Sequence, residues 1–173
     1  MGQYLINFEE TFLSRTIYFH DEQLDYFNCA DLLATSYLNH QTVDLSLVKG
    51  TEHGSYAGYT WGELICGIEQ RGHSSLHRGW SNYCDLKRTP EYYLSDELKE
   101  GWSFARYRNH YYIQGGNHRT ILAKYFLEMN QLDSLVKGVS VTDYADIEST
   151  AYFENTDFKN KNIMQRIKKI FCK

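Results

Sequence analysis

The order of periodicities along the chain predicts an α+β protein: a small mixed β-sheet with helices packed on it, an N-terminal helical extension and a C-terminal amphipathic helix. Three observations carry this. Val43, Leu45 and Leu47 alternate with Asp44 and Ser46, the period of a strand with one buried face. Trp61, Leu64, Ile65 and Ile68 recur at helical spacing, behind Thr60 and Glu63 placed as a capping box. Tyr111 to Gln114 reads as a strand that passes through Gly115 and Gly116 into a helix with Ile121, Leu122, Tyr125, Phe126 and Met129 on one face.

Taken in order, residues 1–40 read as mostly helical. Asp21 is placed to cap a helix with apolar positions Leu24, Phe27, Ala30, Ala34 and Leu38, and Leu5, Phe8, Phe12 and Leu13 suit a shorter helix before it. After the strand at Val43 the loop Lys49–Gly58 leads to the capped helix, which Gly72 ends. Residues 73–100 are polar and aromatic, hold the single proline, Pro90, and read as an irregular insertion with a short helix at Ser95–Glu100. Ser103–Tyr107 and His110–Gln114 pair as a hairpin across Arg108 and Asn109. A further helix spans 120–130, and Gly138 introduces an alternating strand, Val139–Thr142. In the tail, 157–173, Ile163, Met164, Ile167, Ile170 and Phe171 form one stripe, while Lys159, Lys161, Arg166, Lys168, Lys169 and Lys173 face elsewhere.

Length and composition bound the function. At 173 residues a single domain over 1–173 is expected. A net charge of −4 argues against a protein built chiefly to coat nucleic acid. With 15 Tyr, 9 Phe and 3 Trp, the chain predicts a partly polar core or an aromatic contact surface. Cys29, Cys66, Cys84 and Cys172 form no Cys-x-x-Cys pair, so a zinc knuckle is not expected. His73 and His77 have a spacing that helical zinc ligands use, although Gly72 and the serines between them disfavour a helix there. Without a basic-then-apolar leader or an apolar run of about 18 residues, the expected setting is the reducing cytoplasm, with no transmembrane segment.

The run Gly115-Gly116-Asn117-His118-Arg119-Thr120 is the candidate site. Glycines let backbone approach a ligand closely. The first N–H groups of a helix are unpaired, and its dipole favours an anion beside them. An arginine fork there grips phosphate oxygens in pairs. The pattern reads as a phosphate cradle, with Lys49 and Arg106 as further candidates for charge neutralisation.

Two blocks resemble the ParB/sulfiredoxin-like superfamily over roughly residues 42–145. Val43–Glu52 looks like that family's first strand and the acidic turn after it, and Tyr112–Arg119 looks like its Gly-x-His-Arg nucleotide loop. The resemblance implies a small mixed sheet, a nucleotide tri- or diphosphate held by Gly115 to Arg119, and Mg²⁺ wherever phosphate is transferred. By the same likeness Glu52 matches the carboxylate base of the serine-kinase branch, and His118 and Arg119 contact phosphates. The chain departs from the family at Asn117, where sulfiredoxins place a cysteine, and at Gly50, where a proline is usual. The stretch from Val141 to Lys173 is short for the helical DNA-reading module of the partition proteins, so sequence-specific DNA binding is not expected. The leading expectation is a nucleotide-binding protein that hydrolyses an NTP or transfers its terminal phosphate to a small acceptor. The alternatives are an interaction protein that binds a protein partner through a tyrosine-rich surface, and a nucleic-acid-associated factor acting through the basic tail.

Overall fold

A computed structural model of the chain describes residues 4–6, 17–70 and 79–147. Among these residues six strands make one mixed sheet: β1 (Asp25–Tyr26), β2 (Leu32–Asp44), β3 (Val48–Thr51), β4 (Ser103–Tyr107), β5 (His110–Gly115) and β6 (Leu135–Asp146), in the order β1-β3-β5-β4-β6-β2. Neighbours β1/β3, β3/β5 and β4/β6 are parallel; β4/β5 and β2/β6 are antiparallel. The helices are α1 (Trp61–Gln70), α2 (Gly79–Arg88), α3 (Glu91–Leu94) and α4 (Asn117–Met129), with a 3₁₀ turn at Leu45–Leu47. The expected α+β class, with a mixed sheet and packed helices, is what the chain forms.

Local chemistry accounts for several elements. The Thr60 hydroxyl accepts from the Glu63 N–H at 3.1 Å while the Glu63 carboxylate accepts from the Thr60 N–H at 2.8 Å, so the capping box closes reciprocally and starts α1. Arg108 and Asn109 both hold positive φ, 48° and 65°, the backbone of a two-residue turn whose twist matches that of the strands it joins.

Three expectations need correction. Residues 21–38 are not a helix: β1 and the first part of the long β2 occupy half of this stretch, and β2 pairs with β6 from Leu32↔Asp146 to Asp44↔Leu135. The apolar steps of three and four were coincidental with a half-exposed strand containing Thr35, Tyr37, Thr42 and Val43, residues that suit a pleated surface. The alternation over 43–47 is not one strand. The Asp44 side chain accepts from the Ser46 N–H at 2.8 Å and turns the chain into the 3₁₀ segment, and β3 starts at Val48. Ser95–Glu100 is an irregular loop, and the insertion before it is largely helical, as α2 and α3. Inside that loop Lys99 is buried, and its ammonium donates to the carbonyls of Ser95 (2.6 Å), Glu97 (3.3 Å) and Lys137 (2.8 Å), bonds that a helix would not allow. The tail at 157–173, the pair His73/His77, and Phe8, Phe12 and Leu13 lie outside the described residues.

Helix α4 fixes the geometry of everything that follows. Nine of its thirteen residues are buried, among them Ile121, Leu122, Tyr125 and Phe126. They join Phe104, Ile113, Val139 and Val141 of the sheet and Trp61, Leu64, Tyr83 and Leu86 of α1 and α2 in one core. Each such large side chain contributes about 1.5–3 kcal/mol on burial, so the end of α4 is held where the core puts it. Phe27 stacks on Tyr112, ring centroids 4.1 Å apart, with Tyr107 and Tyr144 around the pair.

Candidate functional site

The N-terminus of α4 opens on a cleft of about 980 Å³ lined by His53, Ser55, Tyr56, Asn82, Asp85, Thr89, Tyr92, Tyr93, Gly116, Asn117, His118 and Arg119. Three elements enclose it: the loop after β3, the α2–α3 segment, and the β5–α4 turn. The helix starts at Asn117, three residues before the expected position, because Gly116 takes a left-handed conformation (φ 79°, ψ 32°) that ends β5 and turns the chain into α4. No side chain caps the helix there. A 13-residue helix therefore presents uncapped N–H groups and the positive end of its dipole to the cleft.

Asn117 is 8% exposed and lines the cleft. Its Oδ1 accepts from the Thr51 hydroxyl at 2.8 Å, and its Nδ2 has no hydrogen-bond partner among the described residues. The Thr51 oxygen also accepts from the His53 N–H at 3.0 Å, which ties the far loop to the same point. A buried amide left half unpaired costs about 1–3 kcal/mol. His118 is held by the Tyr56 hydroxyl, 2.9 Å from its Nε2, and the His53 ring meets Tyr56 edge-on at 4.9 Å.

Arg119 is more occupied than a free phosphate fork. It donates to the Glu100 carbonyl from both terminal nitrogens and to the Tyr92 hydroxyl, each at 3.1 Å, with its guanidinium over the Trp102 ring. These bonds use three of its five N–H groups. The charge stays at the cleft, and Nε and one terminal N–H remain for a ligand. Thr120 points inward: its hydroxyl accepts from the Trp102 indole at 2.8 Å and donates to the Gly116 carbonyl at 3.1 Å. Gly115 packs against Gly101 and Ser103 and does not line the cleft.

The remaining expected residues lie elsewhere. Glu52 is outside the cleft, its carboxylate accepting from the Gln114 amide at 2.9 Å. Arg106 is paired in a fork with Asp143, at 2.6 and 2.8 Å, which raises the arginine pKa and lowers that of the carboxylate. Lys49 is exposed on β3, away from the cleft. The structure thus brings together Gly116, Asn117, His118 and Arg119 and leaves Glu52, Lys49 and Arg106 apart. It adds His53, Ser55 and Tyr56 from a loop the sequence marks only as a loop, and Asn82, Asp85, Thr89, Tyr92 and Tyr93 from the insertion. Their signal is faint: Asn82, Asp85 and Thr89 follow helical spacing on a face otherwise polar.

Among the described residues Asp85 is the one carboxylate lining the cleft, and it is paired with Arg88. Among the described residues no group of three or more His, Cys, Asp or Glu side chains is arranged to hold a metal ion. No helix of the described residues is long and apolar enough to cross a membrane. No protein-family model, curated protein or solved structure matches the chain. The site's reading therefore rests on its own geometry: hydrogen-bond donors gathered at one end, an aromatic wall of Tyr56, Tyr92 and Tyr93, and a carboxylate and an amide on α2.

Proposed function

We propose that this protein binds a nucleoside phosphate in the cleft, with a terminal phosphate seated at Gly116 to Arg119, and that it hydrolyses the nucleotide or transfers that phosphate to a small acceptor. The observation that carries the seat is the buried Asn117 Nδ2, without a partner among the described residues, beside an uncapped helix N-terminus. Helix N-termini attract anions, and the amide supplies a donor that no group among the described residues satisfies. The likeness of Tyr112–Arg119 to a ParB/sulfiredoxin-like nucleotide loop is a separate support. The cleft is within the size range of small-molecule and cofactor pockets, and its tyrosines offer faces for a base to stack on.

The geometry supports the seat more directly than turnover. Glu52 is not beside the cleft, so the groups placed to move a proton there include His53, His118, oriented by Tyr56, and Asp85. Mg²⁺ would come with the phosphates. It keeps much of its water and needs only one or two carboxylates, and Asp85, which would have to share its pairing with Arg88, is the one lining the cleft among the described residues.

The test is thermal unfolding with ATP, ADP, CTP, GTP and inorganic pyrophosphate, with and without Mg²⁺. A ligand at 100 times its Kd stabilises by about 2.7 kcal/mol, a rise in Tm of roughly 5–10 °C for a chain of this size. The rise should vanish in Asn117→Asp, which keeps the side chain's shape but sets a negative charge against the phosphate. Absence of any shift across the panel would remove this reading. Phosphate release that is lost in His118→Asn with binding retained would establish turnover.

A second reading has its own observation. Tyr26 and Tyr37 are exposed on β1 and β2, the two edge strands of the sheet, where an aromatic side chain suits a docking partner. A discrete protein partner lost in Tyr26→Ala/Tyr37→Ala, with no response to nucleotides, would favour a non-catalytic interaction protein.

A further inference from the structure

Tyr93 is 2% exposed yet lines the cleft. Its ring is clamped edge-on by Tyr92, Trp102 and Phe126, with centroid separations of 5.5, 5.8 and 6.1 Å, so the side chain has little freedom to seek another position. Its hydroxyl has no hydrogen-bond partner among the described residues, whereas the neighbouring Tyr92 hydroxyl accepts from Arg119. Buried tyrosine hydroxyls ordinarily find a partner. Arg119, Tyr92 and Asp85, the groups near enough to act on this hydroxyl, all line the cleft, as Tyr93 itself does.

We infer that Tyr93 is a specificity residue of this cleft, its hydroxyl donating to an anionic oxygen of the bound phosphate group. The inference rests on the phosphate seat proposed above and adds a donor from a different element, α3, to those of α4. Direction follows from chemistry. Burial pushes the Tyr93 hydroxyl far above its usual pKa, so it keeps its proton at any physiological pH. A protonated hydroxyl beside an arginine, with no acceptor of its own, is arranged for an oxyanion rather than for a cation or an apolar group. The same arrangement explains the tolerance of an unsatisfied buried group: the ligand completes it.

The test compares the full chain with Tyr93→Phe by calorimetric titration with inorganic pyrophosphate and with the nucleotides of the panel, alongside unfolding of the ligand-free proteins. Losing one hydrogen bond to a charged partner should weaken binding about ten-fold or more. The ligand-free variant should be as stable as the parent or more so, because an unpaired hydroxyl has been removed. A hydroxyl with a structural role would instead lower the Tm of the ligand-free protein, and that result would overturn the inference. Equal affinity of parent and variant would overturn it too, while leaving the phosphate seat in place. A parent chain that binds neither pyrophosphate nor any nucleotide would sink the seat and this inference together. As an independent readout, 3-fluorotyrosine placed at position 93 should show a ¹⁹F shift on adding pyrophosphate; an unmoved resonance counts against the contact.

Discussion

Thr51 and Asn117 are joined by a 2.8 Å hydrogen bond between side chains from β3 and the first turn of α4, 66 residues apart, and both are buried. The bond decides which half of the asparagine amide faces the cleft: with Oδ1 engaged by the hydroxyl, the donor half is the one left over. Thr51→Val keeps the shape and removes the hydroxyl. The His53 N–H, Asn117 Oδ1 and the Ile113 carbonyl all lose the hydroxyl as a partner, which should cost roughly 2–3 kcal/mol in urea unfolding. Although Thr51 is not part of the cleft wall, anion binding should weaken several-fold, because the amide is then free to turn its oxygen toward the phosphate. Unchanged affinity in a destabilised Thr51→Val protein would show that the amide's orientation does not matter.

Glu52→Gln separates sequence likeness from geometry. The resemblance assigns Glu52 the part of a base; the structure places its carboxylate on Gln114, outside the cleft. A glutamine can still accept that bond through its carbonyl oxygen. Nucleotide affinity should stay within about two-fold and stability within about 0.5 kcal/mol, the usual range for substitutions away from special features. A collapse of phosphate release in this variant, with binding intact, would return Glu52 to the chemistry.

What the sequence made legible here was local. The Thr60/Glu63 box, the Arg108-Asn109 hairpin and the strand–glycine–helix at Tyr111–Arg119 are each specified by residues within a few positions of one another, and each forms. The strand character of β2 is not legible locally because it depends on β6, more than 90 residues away, whose backbone supplies the partners that make a half-exposed strand worth forming; β1 depends in the same way on β3. Half of the cleft was invisible for the same reason: Asn82, Asp85 and Tyr93 meet Asn117 only after the helices of the insertion dock on α4. Arg119 shows the limit in a single residue. Its place was readable, but its three bonds to Glu100 and Tyr92 were not, because they depend on a loop whose path is set by the buried Lys99.

The two glycines before α4 should respond unequally. A Cβ at Gly116 would lie 2.8 Å from Cδ1 of Trp102, a buried ring held by its bond to Thr120, and the residue has φ +79°. Left-handed backbone costs an L-residue about 1–2 kcal/mol and overpacking about 1–3, so Gly116→Ala should lose roughly 2–5 kcal/mol and disturb the seat. A Cβ at Gly115 would meet the Gly101 carbonyl and the Ser103 hydroxyl at 3.0 Å, and no positive φ is required there. Gly115→Ala should therefore be the milder change in both unfolding and binding. The reverse order would mean that the left-handed turn is not what positions the helix end.

Lys124 gives the fold a pH signature. It is 3% exposed on α4, its ammonium donates to the Leu45 carbonyl at 3.0 Å, and the rings of Phe19 and Trp61 lie 4.7 and 4.5 Å from it. Burial lowers its pKa to about 8, only partly offset by Glu22 and Asp44. Between that value and the unfolded value of about 10.4, the unfolded chain binds the extra proton. Stability from this group therefore rises as pH goes up through that window, and below pH 8 the full cost of burying the charge is present. The size is at most about 3 kcal/mol, at 1.36 kcal/mol per unit. Lys124→Met removes the ionisation, and the Leu45 carbonyl keeps the Val48 N–H as a donor, so no orphaned acceptor is left behind. At pH 7 the variant should be as stable as the parent or more stable. The difference between the two in urea unfolding should then move in the parent's favour from pH 8 to 10. A difference that stays flat across that range would mean that Lys124 keeps its proton and that its aromatic cage and carbonyl offset the burial.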